Sequence, residues 1–385
     1  MSNTLTAILT QILAKGMMGL RERVMMTRLV NTDYSLEARK KGATIDIPLS
    51  AAVAAESVTP AATATAPTDL TPTTAQITLD KWYHADFALN DQEVGRIRAD
   101  QDFVPLQMDE AFKSIANEIN DSVLDTYTGI YGYVGTAGTT PFGTGVEVAS
   151  ATNLRKTLHK QLCPRDTRRA VLDYDAEAAA LNLAPFGDAE KRGSAETKTS
   201  GELGRIYGID WYGDDSIQTH TAGTASTIAT NASGYAVGVK SITMTYGGVG
   251  TGMLEGDIFT IAGDDQTYTV ATTAATAGAV TFTPALKVAL GASTYVVTKK
   301  ASHVVNLAFH RDAFGLAVRS PDSGIKELLG AGNGNVLSSV VLQDPVTKLI
   351  MRLELIRGFK MTMWDVDCLW GTTLISPERA CRLAG

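Results

Sequence analysis

One segment, residues 219–299, differs in composition from the rest of the chain. Its 81 residues include 18 Thr and 11 Gly but only seven charged side chains, whereas 68 of the other 304 residues are charged. Four β-rich runs inside it are separated by Gly or Asp turns, at 258–262, 267–271, 279–282 and 294–298. The segment is therefore predicted to be an inserted β-domain, either a small barrel or a sandwich.

The strongest helical pattern lies at residues 102–128. Apolar side chains recur there at spacings of three and four residues, with charged residues between them: Met108, Phe112, Ile115, Ile119, Val123 and Tyr127. At a rise of 1.5 Å per residue, the pattern predicts one helix of roughly 40 Å, about the width of a domain. We expect this helix to span a domain, and we call it the spine helix.

Residues 44–89 predict a long two-stranded arm. Apolar and polar residues alternate at 44–49, where Pro48 confines the strand to an edge or a strand end, and again from Gln76 to Leu89. Between them, residues 51–75 are mostly Ala, Thr and Pro, which cannot form a core. Because a two-stranded hairpin is marginally stable alone, we expect the arm to lie on something else.

The other patterns mix helices and strands and predict an α+β fold. A helical stripe over 4–30 is split by glycines, and polar loops are predicted at 186–202 and 330–335. Helices are predicted at 152–161 and 175–183, and strands at 169–173, 304–309, 349–356 and 359–366.

Charge and cysteine content exclude several classes of protein. The formal charge is -7 over 385 residues, which argues against a surface that holds nucleic acid through its phosphates. Three cysteines without CxxC spacing indicate neither a disulfide framework nor a zinc site, and favour a reducing cytoplasm. The first positive charge, Lys15, follows the apolar stretch, so no export signal is predicted. No run is long enough for a membrane span, and we expect no membrane partner.

The sequence motifs predict no catalytic, cofactor-binding or metal-binding residue. The P-loop pattern and the GxSxG elbow are absent, and the glycine-rich stretches 247–256 and 330–335 do not complete GxGxxG. The histidines are widely spaced, and His303 and His310 are expected at opposite ends of one strand as ordinary polar residues. They are His84, His159, His220, His303 and His310.

Two acidic pairs and one basic cluster have structural explanations. Asp365 and Asp367 are predicted to share one face of a strand, and Asp214 precedes Asp215; both pairs lack supporting ligands and are interpreted as a solvated strand face or a turn. The basic cluster is interleaved with Asp166 and is interpreted as a local ion-pair network rather than a phosphate site. It contains Arg165, Arg168 and Arg169.

The order of four segments resembles the major capsid proteins of tailed bacteriophages, with the Hong Kong ninety-seven type fold and, in one subtype, an inserted β-domain. Residues 79–93 resemble the passage from the extended loop to the spine helix, and 204–223 the axial-domain strand that leads into the insertion. Residues 256–263 are similar to a signature of the inserted domain, and 306–314 to the return from it.

The resemblance implies a division of the chain into six parts. These are an N-terminal arm (1–43), an extended loop (44–89), a peripheral domain with the spine helix (90–150), an axial domain (151–218), the inserted β-domain (219–299) and the return through axial and peripheral strands (300–385). The insertion is shorter than that subtype implies. No cross-linking Lys and Asn pair is assigned.

The resemblance also implies a function without catalysis or cofactors. The chain would form hexamers and pentamers of an icosahedral shell around double-stranded DNA, and a precursor shell would expand on maturation. Implied partners are a scaffolding protein, a portal and a decoration protein, with DNA contacted only non-specifically. Assembly would take place in the host cytoplasm, and the product would be the virion capsid.

Three other classes remain as alternatives. A cellular nanocompartment shell of the same fold should lack the inserted domain. An Ala/Thr-rich surface adhesin requires an export signal, which residues 1–20 do not provide. An enzyme with a scattered site would be detected by a screen for bound cofactor.

Overall fold

The computed structural model describes residues 25–36, 44–49, 55, 57, 72–93, 103–188, 190, 200–247, 250–321, 336–343 and 347–385. The helices with described bounds are α1 (Met26–Leu29), α2 (Phe103–Leu124), α3 (Ala149–Lys160), α4 (Tyr174–Leu181) and α5 (Ala184–Gly187). Strands of the first half are β1 (Thr44–Leu49), β2 (Thr73–Thr78), β3 (Lys81–Asn90), β4 (Tyr133–Gly135), β5 (Arg168–Leu172), β6 (Gly204–Ile206), β7 (Ile209–Gly213) and β8 (Thr219–His220).

Apart from two 3-10 helices, the regular elements described in the second half are all strands. Its strands are β9 (Ser226–Thr230), β10 (Ser241–Gly247), β11 (Ile258–Ile261), β12 (Thr267–Val270), β13 (Gly278–Thr283), β14 (Val297–Lys299), β15 (His303–His310), β16 (Phe314–Arg319), β17 (Val336–Gln343), β18 (Ile350–Gly358), β19 (Met361–Leu374) and β20 (Ala380–Ala384). The predicted loop at 330–335, most of the predicted helix at 4–30 and residues 191–199 of the predicted loop at 186–202 lie outside the described residues.

The predicted spine helix is confirmed as α2, with a different ending. Met108, Phe112, Ile115, Ile119 and Val123 are all buried in the largest core cluster. The α-helical part has 22 residues, which corresponds to about 33 Å rather than 40 Å. A 3-10 turn, Asp125–Gly129, follows it and carries Tyr127. The hydroxyl of Thr126 donates to the carbonyl of Val123 at 2.7 Å, a local bond that competes with regular helix geometry.

A five-stranded sheet packs against the spine helix. Its order is β16-β19-β18-β17, and β3 also pairs with β19. Residues 81–89 were predicted to belong to the arm, and this was wrong: strand β3 (Lys81–Asn90) pairs antiparallel with β19. The alternation of β3 has a different cause. Phe87 stacks on Trp364 at 5.2 Å, so the pattern comes from cross-strand packing in the body.

The remainder of the arm, β1 with β2, is a two-stranded antiparallel sheet, as predicted. Its base lies on its own chain. The apolar side chains of the base join those of β16 and β19 and the segment after β19 in one buried cluster: Ile45, Ile47, Ile77, Leu79, Ala317, Leu369 and Ile375. Apart from residues 55 and 57, the tip between residues 50 and 71 lies outside the described residues.

Another sheet contains both parallel and antiparallel pairs. Its order is β4-β20-β15-β5-β7-β6, with β8 added beside β15. Strand β15 is nearly all buried, since β5 and β20 flank it along much of its length. Helices α3, α4 and α5 contribute Leu158, Ala180 and Phe186 to the cluster on this sheet. The predicted helices and strands around 152–183 therefore exist, with ends shifted by one to three residues.

The low-charge segment forms a six-stranded sheet of order β14-β11-β12-β13-β10-β9. A bridge between Ala229 and Val296, and a bond from Thr230 N to Tyr295 O at 2.9 Å, join its two ends. The sheet thus closes, and of the two predicted architectures the barrel is found. We call residues 223–300 the barrel. Four of its strands were predicted. Strands β9 and β10 were missed. Strand β9 alternates weakly because Ile228 is its only large apolar residue, whereas β10 alternates clearly through Ile242, Met244 and Tyr246 and could have been predicted.

The barrel has a core of its own, so we expect residues 219–299 to fold when expressed alone. Its buried cluster contains 14 side chains, among them Phe259, Tyr268 and Phe282, which pack ring against ring at 5.2–5.8 Å. The fragment should give a β-type circular dichroism spectrum and one cooperative thermal transition. Phe282→Asp should abolish both. A disordered spectrum of the unsubstituted fragment would show that the barrel depends on the body.

Candidate functional site

Two of the five histidines come together. His220 on β8 and His303 on β15 are register partners, and their ring centroids are 5.4 Å apart. His310 lies at the far end of β15, as predicted, and both His303 and His310 are buried. His84 is exposed on β3 and lies 3.2 Å from Asp365. Among the described residues, no group of three His, Cys, Asp or Glu side chains has the arrangement of a metal site.

Asp365 and Asp367 share one face of β19, as predicted, but the face is not solvated at Asp367. That carboxylate is 3% exposed and accepts two bonds from Arg352, at 3.0 Å and 2.5 Å. Burial raises the pKa of Asp365, and the Asp367 charge adds to the effect, while nearby His84 opposes it. The two carboxylates therefore have structural partners in the sheet.

Asp214 begins the predicted turn, and its carboxylate is buried although Asp215 is exposed. The Asp214 carboxylate accepts from Ser216 N at 2.9 Å and from the Asn120 side chain on the spine helix at 2.9 Å. The oxygen of the same Asn120 amide accepts from Met26 N at 3.0 Å. Burial raises the pKa of Asp214. Asn120 thus joins α1, the spine helix and the segment after β7.

The interpretation of the arginine cluster as an ion-pair network was wrong. Arg168 is buried and donates to the carbonyls of Pro164 at 2.6 Å and Cys163 at 2.5 Å. Arg169 donates to the carbonyls of Arg28 and Leu29. These side chains hold loops and α1 through backbone oxygens, which sequence patterns do not reveal.

The contact between the barrel and the rest of the chain is built on polar side chains. His220 lies between Asp257 Oδ1, at 3.0 Å from Nε2, and the Tyr127 hydroxyl, at 3.2 Å from Nδ1. Asp257 is fully buried and also accepts from the backbone N–H groups of Gly223 and Leu254. This fixed carboxylate orients the imidazole, which in turn accepts from the tyrosine at the end of the spine helix. We call Tyr127, His220, Asp257, His303 and Arg382 the junction.

Arg382 is the charged centre of the junction and is fully buried on β20. Its guanidinium donates to the carbonyls of Gly256 at 2.8 Å and Thr128 at 3.0 Å, and lies 5.0 Å from the Tyr127 ring centroid. Burial lowers the pKa of Arg382 to about 10. Gly256 has φ +85, and a Cβ there would be 3.2–3.3 Å from Thr128 and His220, so a glycine is required at this close approach.

Two threonines of the barrel complete the contact with the 3-10 turn that ends the spine helix. Thr269 Oγ1 donates to Thr128 O at 2.8 Å, and Thr267 Oγ1 donates to Tyr131 O at 2.7 Å. The barrel is therefore attached by the two strands that lead into and out of it and by side chains directed at residues 127–131. This arrangement fixes the orientation of the barrel on the rest of the chain, and it contains no solvent-accessible nucleophile.

Other sequence candidates carry no chemistry. The three cysteines are free and buried, and burial raises the pKa of each thiol. The described residues of the glycine-rich stretch 247–256, which are 247 and 250–256, lie in the barrel and lead into β11 rather than a helix. In the ranges that the structure covers, no helix is both long and apolar enough to cross a bilayer.

No protein-family model matches the chain, and no curated sequence is similar to it. Solved structures do match. One from Mycobacterium phage Che8 aligns with a TM-score of 0.52 at 12% identity, over 94% of this chain and 90% of that one. A capsid structure of cyanophage P-SCSP1u aligns with a TM-score of 0.49 at 12% identity, over 92% and 85%. The mature capsid of bacteriophage PhiM1 aligns with a TM-score of 0.44 at 10% identity, over 88% and 81%.

The first alignment carries the assignment, because it extends over nearly the whole of both chains. The α+β class and the order of hairpin, spine helix and sheets described above are those that the resemblance to phage capsid proteins predicts. The chain therefore has the fold of the major capsid proteins of tailed bacteriophages.

Proposed function

We propose that the protein is a structural subunit that assembles with copies of itself into the icosahedral capsid of a tailed phage. The observation that carries the proposal is the capsid fold, which extends over 94% of the chain in the alignment with the Che8 structure. The shell would be built from hexamers and pentamers and would enclose double-stranded DNA. The subunit would be made and assembled in the host cytoplasm.

The described surface suits a subunit that is covered by neighbours. The β1–β2 arm is a separate two-stranded sheet, and it offers backbone groups at its outer edges. Large apolar side chains are exposed at Trp82 (48%), Leu162 (89%) and Phe359 (89%). Many modest contacts of these kinds, repeated around a closed shell, give a stable assembly. A net charge of -7 limits adhesion of packaged DNA to the subunit.

The division of the chain follows the resemblance. We propose that residues 90–150 form the peripheral domain with the spine helix, that 151–218 and the return from 300 form the axial domain, and that the barrel is the inserted β-domain of one capsid subtype. That subtype implies a separate scaffolding protein, a portal and a decoration protein as partners. The closed barrel supports the assignment, since a nanocompartment shell of the same fold should lack it.

We further propose that a precursor shell expands on maturation and that the spine helix is the element that adjusts. The support is its position. The helix and the 3-10 turn after it contact the five-stranded sheet, Asn120 binds α1 and the segment after β7, and residues 127–131 contact the barrel. A change at this helix would therefore reach the sheet, α1, the segment after β7 and the barrel.

Electron microscopy of the protein expressed with its neighbouring genes tests the function. We expect closed icosahedral particles, and a larger diameter for DNA-filled particles than for empty precursors. Particles that form around a host enzyme, without portal or DNA, would support the nanocompartment alternative. Soluble monomers under all conditions, or a cofactor retained through purification, would contradict a shell subunit.

Removing the tip of the arm is expected to abolish assembly without unfolding the subunit. Residues 51–71 are replaced by Asn-Gly, which joins β1 to β2 and keeps the buried base of Ile45, Ile47 and Ile77. We expect a folded monomer and no shells, because a segment so rich in Ala, Thr and Pro cannot form a core of its own. Sedimentation velocity and micrographs measure this. Shortening the polar stretch 191–199 is the control and should leave shells intact. Normal shells from the tip variant would show that the arm is not a lattice element.

A further inference from the structure

Both connections between the barrel and the rest of the chain carry a buried histidine. His220 lies on the strand that leads into the barrel and His303 on the strand that leads out, and each is 3% exposed. The two residues are register partners, so the imidazoles lie side by side where the chain passes between the two units. A change at either ring therefore acts directly on the connection.

The two imidazoles differ in the number of ring nitrogens that have a hydrogen-bond partner. Both nitrogens of His220 have partners, Asp257 and Tyr127. His303 Nδ1 lies 2.8 Å from the carbonyl of Ala301, and a carbonyl accepts only, so Nδ1 carries the proton. His303 Nε2 is buried and has no hydrogen-bond partner in the described part of the chain. It is the nitrogen that a further proton would occupy.

The groups around His303 do not favour a second proton. Tyr133 on β4 meets the ring edge to face at 5.3 Å, with Lys300 over the tyrosine ring at 5.5 Å. Burial is the largest effect on the pKa of His303; the Arg382 charge and His220 lower it further, whereas the Ala301 carbonyl and Asp257 oppose them. The result is a pKa of about 4.

We propose that His303 is a proton-operated latch, which holds the barrel against the end of the spine helix while its imidazole is neutral and releases it when Nε2 binds a proton. The proton comes from solvent and leaves an imidazolium beside Arg382, with no carboxylate in contact. The ring reaches water when the barrel turns about the two connecting segments, 221–222 and 301–302. That movement separates Thr269 from Thr128 and Thr267 from Tyr131, which are the bonds to the turn after the spine helix.

The direction of the pH effect follows from linkage. A histidine whose pKa is about 4 when docked and about 6.5 when exposed is neutral in the docked form, so docking weakens as the pH falls below about 6.5. Between the two pKa values the undocking equilibrium constant rises by up to about tenfold per pH unit, and at pH 4.5 it is about 60-fold higher than at pH 7.0.

Hydroxyl-radical oxidation of Tyr127 in the full-length, unassembled chain tests the latch, because this ring packs on His220 and Arg382 in the junction and is uncovered when the barrel turns away. Protection of Tyr127 from oxidation is measured at pH 7.0, 5.5 and 4.5. We expect this protection to be lost as the pH falls in the native chain, as the linkage predicts. His303→Asn should keep it, because Asn can donate to the Ala301 carbonyl and does not titrate. His84→Asn, at the exposed histidine, is the matched control and should behave as the native chain. Equal loss in the native chain and His303→Asn overturns the proposal, as does no loss in the native chain.

A second measurement needs no variant. Exchange at the imidazole C2 position reports the pKa of each histidine by mass spectrometry in the native chain. We expect His303 to titrate below pH 5.5, with the loss of Tyr127 protection following the same midpoint. A His303 that titrates at its ordinary pKa, or one that titrates while Tyr127 stays protected, overturns the latch.

Discussion

Replacing Ile115 with aspartate is expected to leave no folded subunit. Ile115 is 2% exposed on the spine helix and belongs to the core cluster that joins the helix to the five-stranded sheet. Its burial contributes about 1.5–3 kcal/mol. An unpaired carboxylate in the same place costs several kcal/mol more. The sum is comparable with the about 5–15 kcal/mol that holds a typical domain folded.

The chain provides a matched control two residues away. Asn117 is on the exposed side of the same helix, so Asn117→Asp adds the same carboxylate without removing core contacts. We expect Asn117→Asp to be soluble, with an unchanged urea midpoint, and Ile115→Asp to be insoluble or to lack a cooperative transition. Ile115→Val should unfold at a slightly lower urea concentration. If Ile115→Asp unfolded cooperatively near the native midpoint, the spine would not be a core element.

Breaking the ion pair between Arg352 and Asp367 is expected to give the second largest loss. Both side chains are at least nine-tenths buried, and Trp82 Nε1 donates to the same carboxylate at 3.3 Å. Asp367→Ala leaves the guanidinium buried with Glu354 as its remaining carboxylate, at 3.2 Å. Loss of one partner of a buried pair costs about 3–5 kcal/mol. Urea unfolding of the unassembled subunit measures it.

The triple variant Arg352→Met, Glu354→Gln, Asp367→Leu separates the value of the ion pair from the penalty of an orphaned charge, because it also neutralises Glu354, which lies 3.2 Å from Arg352 and would lose its cation. Because apolar residues of similar volume can replace a buried pair at little cost, we expect the triple variant to regain most of the stability that Asp367→Ala loses. Asp367→Asn should lie between them, since the amide oxygen still accepts one bond. A triple variant less stable than Asp367→Ala would mean that the pair itself stabilises the sheet.

The sequence predicts the type of an element where periodicity alone defines it, whichever residues pack against that element. The stripe of Met108, Phe112 and Ile119 defines a helix with one apolar face, whatever covers that face. Alternation over 81–89 likewise defines a strand with one packed face, but it does not state the partner. That strand was therefore placed in the arm, although β19 forms its backbone bonds. The periodicity of a segment is visible in its own residues, whereas the identity of the strand that pairs with it is not.

The junction is not predictable in this way. Tyr127, His220, Asp257, His303 and Arg382 are far apart in the chain and share no spacing, and each is unremarkable among its neighbours. Their proximity follows from three tertiary facts: β8 beside β15, β15 beside β20, and the barrel against the turn after the spine helix. The burial of Asp367 and Arg168 escaped the sequence analysis for the same reason, because a polar residue implies solvent unless its tertiary partner is known.

The strands that lead into and out of the barrel are hydrogen-bonded neighbours, with His220 opposite His303. Such a pair can be closed by a two-residue turn, so residues 221–302 form a module that the body of the fold can gain or lose without any change in strand order. The same position can accept a foreign domain whose termini are about one strand spacing apart, about 5 Å. An ancestor without the barrel, and a relative with a different domain in its place, would both have the same spine and sheets.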